Sequence, residues 1–362
     1  MNILITGAAG FIGRNLRTQL SQRRPGDNIL CYDIGTDGLA DFCKQADFVY
    51  HLAGVNRPED PADFYRGNAD FTNELVNLLN NGKKPPLLFA SSVHAAADNP
   101  YGRSKKAAED AVFAYGNAYV YRLPGIFGKW CRPNYNSVVA TFCNNIANDL
   151  PVQINDANAI VNLAYIDDVC GCFLDALDNS VKNDGDFCVV EPVYAITLQE
   201  LYDALTAFRG GRSDLFVPEM SDAFTRKLYS TYLSYVTDFS YGLMAHKDER
   251  GAFAEFLKSK TAGQVSVNIT KPGFTKGNHW HHTKTEKFLT VSGRGVLRFR
   301  KVGDAQVFEV GVSGEELAVV DIPPGYTHSM TNTGQGDMIT VIWADEVFDP
   351  KNPDTFYEDV LC

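Results

Sequence analysis

The chain has 362 residues, a length at which two domains are expected, and its 45% hydrophobic and 21% charged content argues against long disordered tails. Its formal net charge of -11 excludes general affinity for nucleic acid or an anionic membrane surface, although local amides and arginines can still hold a phosphate. No apolar run reaches the ~18 residues that span a bilayer, and Met1–Ile5 runs into a glycine turn rather than a signal-peptide core, so no membrane insertion is expected.

The eight cysteines (31, 43, 131, 143, 170, 172, 188 and 362) form no CxxC pair, which is the pattern of reduced thiols in a cytoplasmic protein. Along residues 1–180, short apolar runs at 2–5, 29–32, 48–51, 87–90 and 118–121 alternate with helical spacing at 11–20, 68–79 and 104–115. That alternation predicts a parallel sheet covered on both faces, a doubly wound α/β domain.

The first strand ends in Gly7-Ala8-Ala9-Gly10-Phe11-Ile12-Gly13. Gly7 permits a tight turn, Gly10 lets backbone amides approach a pyrophosphate, and Gly13 lets the helix lie against the strand. Phosphates would then sit at the positive end of the helix dipole. Asp33, at the end of the second strand, stands where a ribose-binding acid belongs. Further along, Tyr101 and Lys105 are four apart and share a helix face. An ammonium beside a phenol lowers its pKa, as proton exchange near neutrality requires. Ser91-Ser92 closes the preceding strand, and either hydroxyl is placed to orient a substrate carbonyl.

These pieces, together with HLAGVNRP (51–58), Asn68 opening a helix, Arg122-Leu123-Pro124 leading to Phe127-Gly128, and AYIDDV (164–169), resemble the extended short-chain dehydrogenase/reductase family of nucleotide-sugar enzymes. The resemblance covers residues 1–240 and implies a Rossmann-like fold. It makes Tyr101 the acid/base, Lys105 a ribose ligand and Ser92 the carbonyl-orienting serine. Implied cofactor contacts are Gly7, Gly10, Phe11, Ile12, Gly13, Arg14, Asp33, Ala53 and Lys105. Asp33 speaks for NADH, whereas the family and Arg14 speak for NADPH. Two features depart from the family: the Ser92-to-Tyr101 interval is short, and Gly125 stands where relatives often carry asparagine.

Residues 197–209 and 222–232 read as helices. From Gln264 onward the pattern becomes short strands (264–269, 287–293, 295–301, 306–312, 317–323 and 339–344) separated by turns, as in a sandwich or jelly-roll barrel. On a strand, His279 and His281 face inward together while His282 faces away. Glu286 and His328 complete three imidazoles and one carboxylate, a set that suits zinc or a similar divalent metal.

Gly273, His279-x-His281, Glu286 and Gly293, followed by Pro323-x-Gly325, His328 and Asn332, resemble the two cupin motifs, with Leu317 where a glycine is expected. Residues 241–362 are therefore expected to form an all-β cupin domain. Some sugar-epimerase cupins work without metal through a histidine base, so a metal-free site is the alternative. DERGAFAEF (248–256) is similar to the opening of cupin-fold sugar-nucleotide 3,5-epimerases.

The whole chain, through runs such as FGKWCRPNYNSVVATFCNNIAND (127–149), resembles bifunctional capsular-polysaccharide and O-antigen enzymes. That resemblance implies a homodimer acting on a UDP-sugar. The cupin would epimerise C3 of UDP-2-acetamido-2,6-dideoxy-4-keto-L-hexose. The first domain would then reduce C4 with NADPH, giving UDP-2-acetamido-2,6-dideoxy-L-talose. The alternative is a nucleotide-sugar epimerase or dehydratase that retains NAD, with a cupin that only dimerises or binds metal or sugar.

Overall fold

The computed structural model describes residues 1–361; Cys362 and its expected free thiol lie outside the described residues. The chain divides into two compact units, Met1–Thr206 with Lys227–Thr237, and Ala207–Arg226 with Asp238–Cys362.

In the first unit, β1 (Asn2–Thr6), β2 (Asn28–Tyr32), β3 (Phe48–His51), β4 (Leu87–Ser92) and β5 (Ala118–Leu123) form a parallel sheet in the order β2-β1-β3-β4-β5. Their apolar runs are continuous because both faces are covered. Ile3 and Ile5 pack with Leu16, Leu20 and Phe173 on one side. Leu4 packs with Leu75, Leu79 and Val112 on the other. Each such buried side chain contributes about 1.5–3 kcal/mol of transfer free energy. Strand order reverses at β1, with β2 on one side and β3 on the other. Sheets of this kind bind ligands at such a switch point, beyond the strands' carboxyl ends.

Two helices begin differently from their sequence pattern. The helix carrying Tyr101 spans Pro100–Tyr115 rather than starting at Ser104. Asn99 caps it by accepting from the Gly102 amide at 2.8 Å, Pro100 occupies its first turn, and Gly116 at φ 81° ends it. The helix expected from Asn68 is a π-turn, Tyr65–Asp70, feeding an α-helix over Phe71–Asn80. The expected later helices are Leu198–Asp214 and Ala223–Leu233.

The second unit contains two antiparallel sheets, the jelly-roll arrangement of a cupin. Six strands run in the order 245–248, 251–259, 263–270, 338–344, 286–292, 319–322. Five run in the order 307–313, 294–301, 326–332, 275–280, 356–357. Phe288, Leu297, Phe299, Ile322, Met330 and Met338 form the core. The β pattern thus starts earlier than Gln264. Ala245–Asp248 is fully exposed, and a register shift between Glu255 and Leu257 breaks the alternation of Gly251–Ser259. Among the described residues, no helix is long and apolar enough to cross a membrane.

Candidate functional site

The first cluster lies at the carboxyl ends of β1 to β4. Gly7, at φ 75°, donates its amide to the Tyr32 carbonyl at 2.8 Å. A Cβ there would stand 2.7 Å from the Ala53 amide nitrogen, and one at Gly13 would stand 2.1 Å from the Gly7 carbonyl oxygen. Glycine is therefore required at both positions, and Ala53 is brought against the loop. Gly10 stands at the N-terminus of the helix Phe11–Arg23, whose first turn holds Phe11, Ile12 and Arg14. Asp33 accepts the Ala9 amide on both carboxylate oxygens, at 3.1 and 3.0 Å, and so ties the second strand to the loop. The Arg14 guanidinium lies 4.5 Å over the Trp130 ring.

Successive residues of β4 send Ser91 and Ser92 to different neighbours. Ser91 is buried and donates to Glu109 at 2.6 Å, and Glu109 takes two hydrogen bonds from Arg122 at 2.9 and 2.7 Å. Ser92 caps the short helical turn Val93–Ala96, accepting from the His94 amide at 3.2 Å, and its hydroxyl is near enough to the Tyr101 phenol to pull its pKa down. Lys105 is buried, with its ammonium on the Ala90 carbonyl at 2.9 Å and 4.3 Å over the Phe89 ring.

The second cluster lies in the barrel, where His279, Glu286 and His328 line a cavity of about 520 Å³. His279 sits on the strand Thr275–Trp280, directly opposite His328 of Tyr326–Asn332. A bulge between Gly277 and His279, with Asn278 at φ 59°, turns His279 inward. His281 lies just past the end of that strand rather than on it, and Glu286 opens the strand Glu286–Ser292. One donor atom from each of His279, His281, Glu286 and His328 falls within 4.8 Å of the others. His282 is exposed, its ring 4.5 Å from Trp280 and 4.9 Å from Phe356.

Two family models match, the NAD dependent epimerase/dehydratase family over residues 3–189 and the polysaccharide biosynthesis C-terminal domain over residues 246–356. A UDP-2-acetamido-2,6-beta-L-arabino-hexul-4-ose reductase of Pseudomonas aeruginosa is 44% identical, covering 98% of each chain. The chain belongs to the NAD dependent epimerase/dehydratase family. The crystal structure of the capsular polysaccharide assembling protein CapF of Staphylococcus aureus matches with a TM-score of 0.93 at 47% identity, over 99% of this chain and 100% of that one. A structure of CapF with the inhibitor 3-isopropenyl-tropolone matches with a TM-score of 0.89 at 43% identity, over 99% and 100%. The protein is an enzyme built along the same lines over its whole length, an oxidoreductase and epimerase of nucleotide sugars with a nicotinamide cofactor.

Within this epimerase/dehydratase framework the electrostatics differ from the simple expectation. Burial pushes the Tyr101 phenol above its ordinary value, and the opposing pull comes from Ser92 rather than from Lys105. A raised value keeps the phenol protonated, the form that donates to a carbonyl oxygen during reduction. Lys105 is pushed down to about 8 by burial, with Glu109 pulling it up. Two further residues complete the site without having been singled out for it. Asn68 bridges the Val55 backbone (2.9 and 3.1 Å) to the Ser104 hydroxyl (3.0 Å), tying the HLAG loop to the Tyr101 helix. Glu109 holds Ser91 and Arg122. Its signal was its place four residues after Lys105 on a buried helix face.

The barrel residues meet a chemical test for a cation. His281 directs Nδ1 to the Asp354 carbonyl, which leaves Nε2 as a bare lone pair. That nitrogen lies 3.3 Å from Glu286 Oε2, and the Nε2 of His328 lies 3.4 Å from the same oxygen. The His328 Nε2 is buried with no hydrogen-bond partner among the described residues. Burial, then the neighbouring His328, pushes His279 down to about 4, so it is neutral at physiological pH. Burial pushes the Glu286 carboxyl up, but the adjoining His281 and His328 rings more than offset this and hold it below the usual carboxylate range. Lone pairs converging on one point suit a divalent ion held by three imidazoles and a carboxylate.

Proposed function

We propose that the protein performs two steps on one UDP-sugar, as a homodimer, with residues 1–240 as reductase and 241–362 as epimerase. C3 of UDP-2-acetamido-2,6-dideoxy-4-keto-L-hexose is epimerised in the barrel. The C4 ketone is then reduced with NADPH, giving UDP-2-acetamido-2,6-dideoxy-L-talose for capsular polysaccharide or O-antigen synthesis. The observation that carries this reading is the whole-length match to a reductase named for a UDP-bound hexul-4-ose. The order follows from chemistry: a 4-keto group acidifies the C3 proton, and reduction removes that activation.

In the reductase, Ser92 and Tyr101 bracket the C4 oxygen and Tyr101 gives it a proton. Lys105 reaches the nicotinamide ribose. Ser92 is favoured over Ser91 because the Ser91 hydroxyl is engaged by Glu109. Gly7, Gly10, Phe11, Ile12, Gly13, Arg14, Asp33 and Ala53 form the cofactor cradle. The nicotinamide supplies hydride to C4. NADPH rests on Arg14, while Asp33 speaks for NADH. A ratio of kcat/KM values below one for NADPH over NADH would reject the choice.

In the barrel, His279, His281, Glu286 and His328 hold one divalent ion, with zinc the best match to the donors. When bound, such an ion supplies Lewis-acid stabilisation of an oxyanion or fixes the pocket. A tropolone carries two adjacent oxygens that chelate divalent metals, and its use as an inhibitor of CapF supports the same reading. Lys284 and Tyr326 are the two candidates for proton transfer at C3, and Lys284 is favoured because it lines the same cavity as Glu286.

The deciding experiment incubates the protein with the 4-keto UDP-sugar in deuterated water, with and without NADPH, and reads products by NMR. Deuterium at C3 without NADPH, and a C4 alcohol only with it, is the expected result. Retained NAD with no consumption of NADPH would overturn it in favour of an NAD-retaining epimerase.

A further inference from the structure

The segment Asp354–Val360 lies outside the donor set yet contacts the chain at His279, at His281 and the loop after it, and next to His328. Phe356 and Tyr357 pair with Trp280 and His279. Asp359 accepts from the Asn278 side chain at 2.8 Å, next to His279. The Glu358 carbonyl accepts from the Thr327 hydroxyl, next to His328. Buried Arg300 clamps the segment, donating to the carbonyls of Val360 (3.0 Å) and Asp359 (2.6 Å) and to the Glu358 carboxylate (2.8 Å).

Asp354 has the densest role. Its carbonyl accepts from His281 Nδ1. Its carboxylate accepts from three consecutive amides, those of His282 (2.8 Å), Thr283 (2.8 Å) and Lys284 (2.9 Å), and from the Thr283 hydroxyl (3.0 Å). The residues so held form the connection between His281 and Glu286, which has neither helix nor strand of its own. Three amides converging on one anion form a nest, and removing the anion leaves them to water. A connection without regular structure would then sample many conformations, and the two donors it joins would lose their fixed spacing. Metal–donor distances in a well-formed site lie within about 0.2 Å of their standard values.

We infer that Asp354 is a positioning residue for the barrel site: by gathering the amides of residues 282–284 it fixes the spacing of the His281 and Glu286 donors. The Asp354–Val360 segment thereby sets how tightly the barrel holds a divalent ion. The inference rests on the reading of His279, His281, Glu286 and His328 as a metal site.

The test is zinc affinity of the full chain, measured by competition with a chromophoric chelator. Asp354→Ala should weaken zinc binding about 10–100-fold, the range seen when outer-shell partners of metal ligands are lost. Asp354→Asn keeps one acceptor oxygen and should fall between that variant and wild type. Asp304→Ala removes a carboxylate that accepts the amides of Ala305 and Gln306 but keeps the backbone carbonyl that accepts from Arg300, and should bind as wild type does. The unfolding transition of the zinc-free barrel should be unchanged in all three, which separates loosening of the site from loss of the fold, and reduction of an already epimerised ketone should be unchanged as well. Wild-type affinity in Asp354→Ala, or equal weakening in Asp304→Ala, overturns the inference alone. If the wild-type chain takes up no ion, the metal reading falls and this inference with it.

Discussion

Tyr101 is predicted to act as a phenol, not a phenolate, so its replacement should remove proton delivery without disturbing the barrel. Tyr101→Phe should lose reduction by about 10²–10⁴-fold and keep C3 deuterium exchange, both read in one NMR assay. Loss of exchange as well would contradict the division of labour. Lys105 gives a pH prediction. Its ammonium, with a value near 8, is lost as pH rises through that point, so kcat/KM for reduction should fall above about pH 8. Stability moves oppositely: the unfolded chain holds this proton to about 10.5, so this group's contribution rises between about 8 and 10.5. Glu109 raises Lys105, and His51, pushed down to about 3 by burial and then by Lys105, stays neutral throughout. Glu109→Gln should therefore move the descending limb to lower pH, and an unmoved limb would assign it to another group. In the barrel, His281→Ala should lose metal and C3 exchange, whereas His282→Ala should keep both, by metal analysis. The clustering of His279, His281, Glu286 and His328 was legible because their types and spacing are unusual. The choice between Ser91 and Ser92 was not, because it depends on which serine meets Glu109, a contact 18 residues away in sequence.

Elements were legible where one rule acts alone. The strands of the parallel sheet are short apolar runs with turns between them, and their centres fall where the pattern puts them. The rest needed a second rule. The Tyr101 helix starts at Pro100 because Asn99 caps it, a signal carried by one side chain rather than by periodicity. The strand Gly251–Ser259 hid behind its register shift. His281 lies beyond its strand, so the inward pair of histidines arises from a bulge and a turn, not from plain alternation. The first helix lies close against the glycine loop at Gly13. Gly13→Ala would drive a methyl against the Gly7 carbonyl oxygen, so the loop must shift. The expected result is about 1–3 kcal/mol of lost stability in thermal or denaturant unfolding, with nicotinamide affinity weakened by titration. Gly116→Ala, where a Cβ meets nothing, tests backbone strain alone.

At the scale of the molecule, residues 207–226 belong to the second compact unit while 227–237 return to the first. Interleaving of this kind carries no local sequence signal, because each helix involved has an ordinary amphipathic pattern. The two clusters proposed as reaction sites nevertheless fall in separate units, with Tyr101 and Lys105 in one and His279, His281, Glu286 and His328 in the other. Chelation should therefore stop C3 exchange and leave reduction of an already epimerised ketone near its full rate. A proportional loss of both, measured on the same sample, would show that the units depend on one ion.

The bulged pairing of His279 with His328 has a mechanical consequence. Both residues belong to the five-stranded sheet, while Glu286 opens a strand of the six-stranded one. An ion shared among them would act as a rivet between two layers that are also joined by apolar packing, by Lys276 on Asn268 and by Asn332 on the Thr270 carbonyl. At a hundredfold excess over its Kd a ligand specific to the folded state adds about 2.7 kcal/mol. Zinc should therefore raise the barrel's melting temperature and slow hydrogen exchange together in strands 286–292 and 326–332. Those strands lie in opposite sheets, so concerted protection is the signature of a clamp rather than of local tightening.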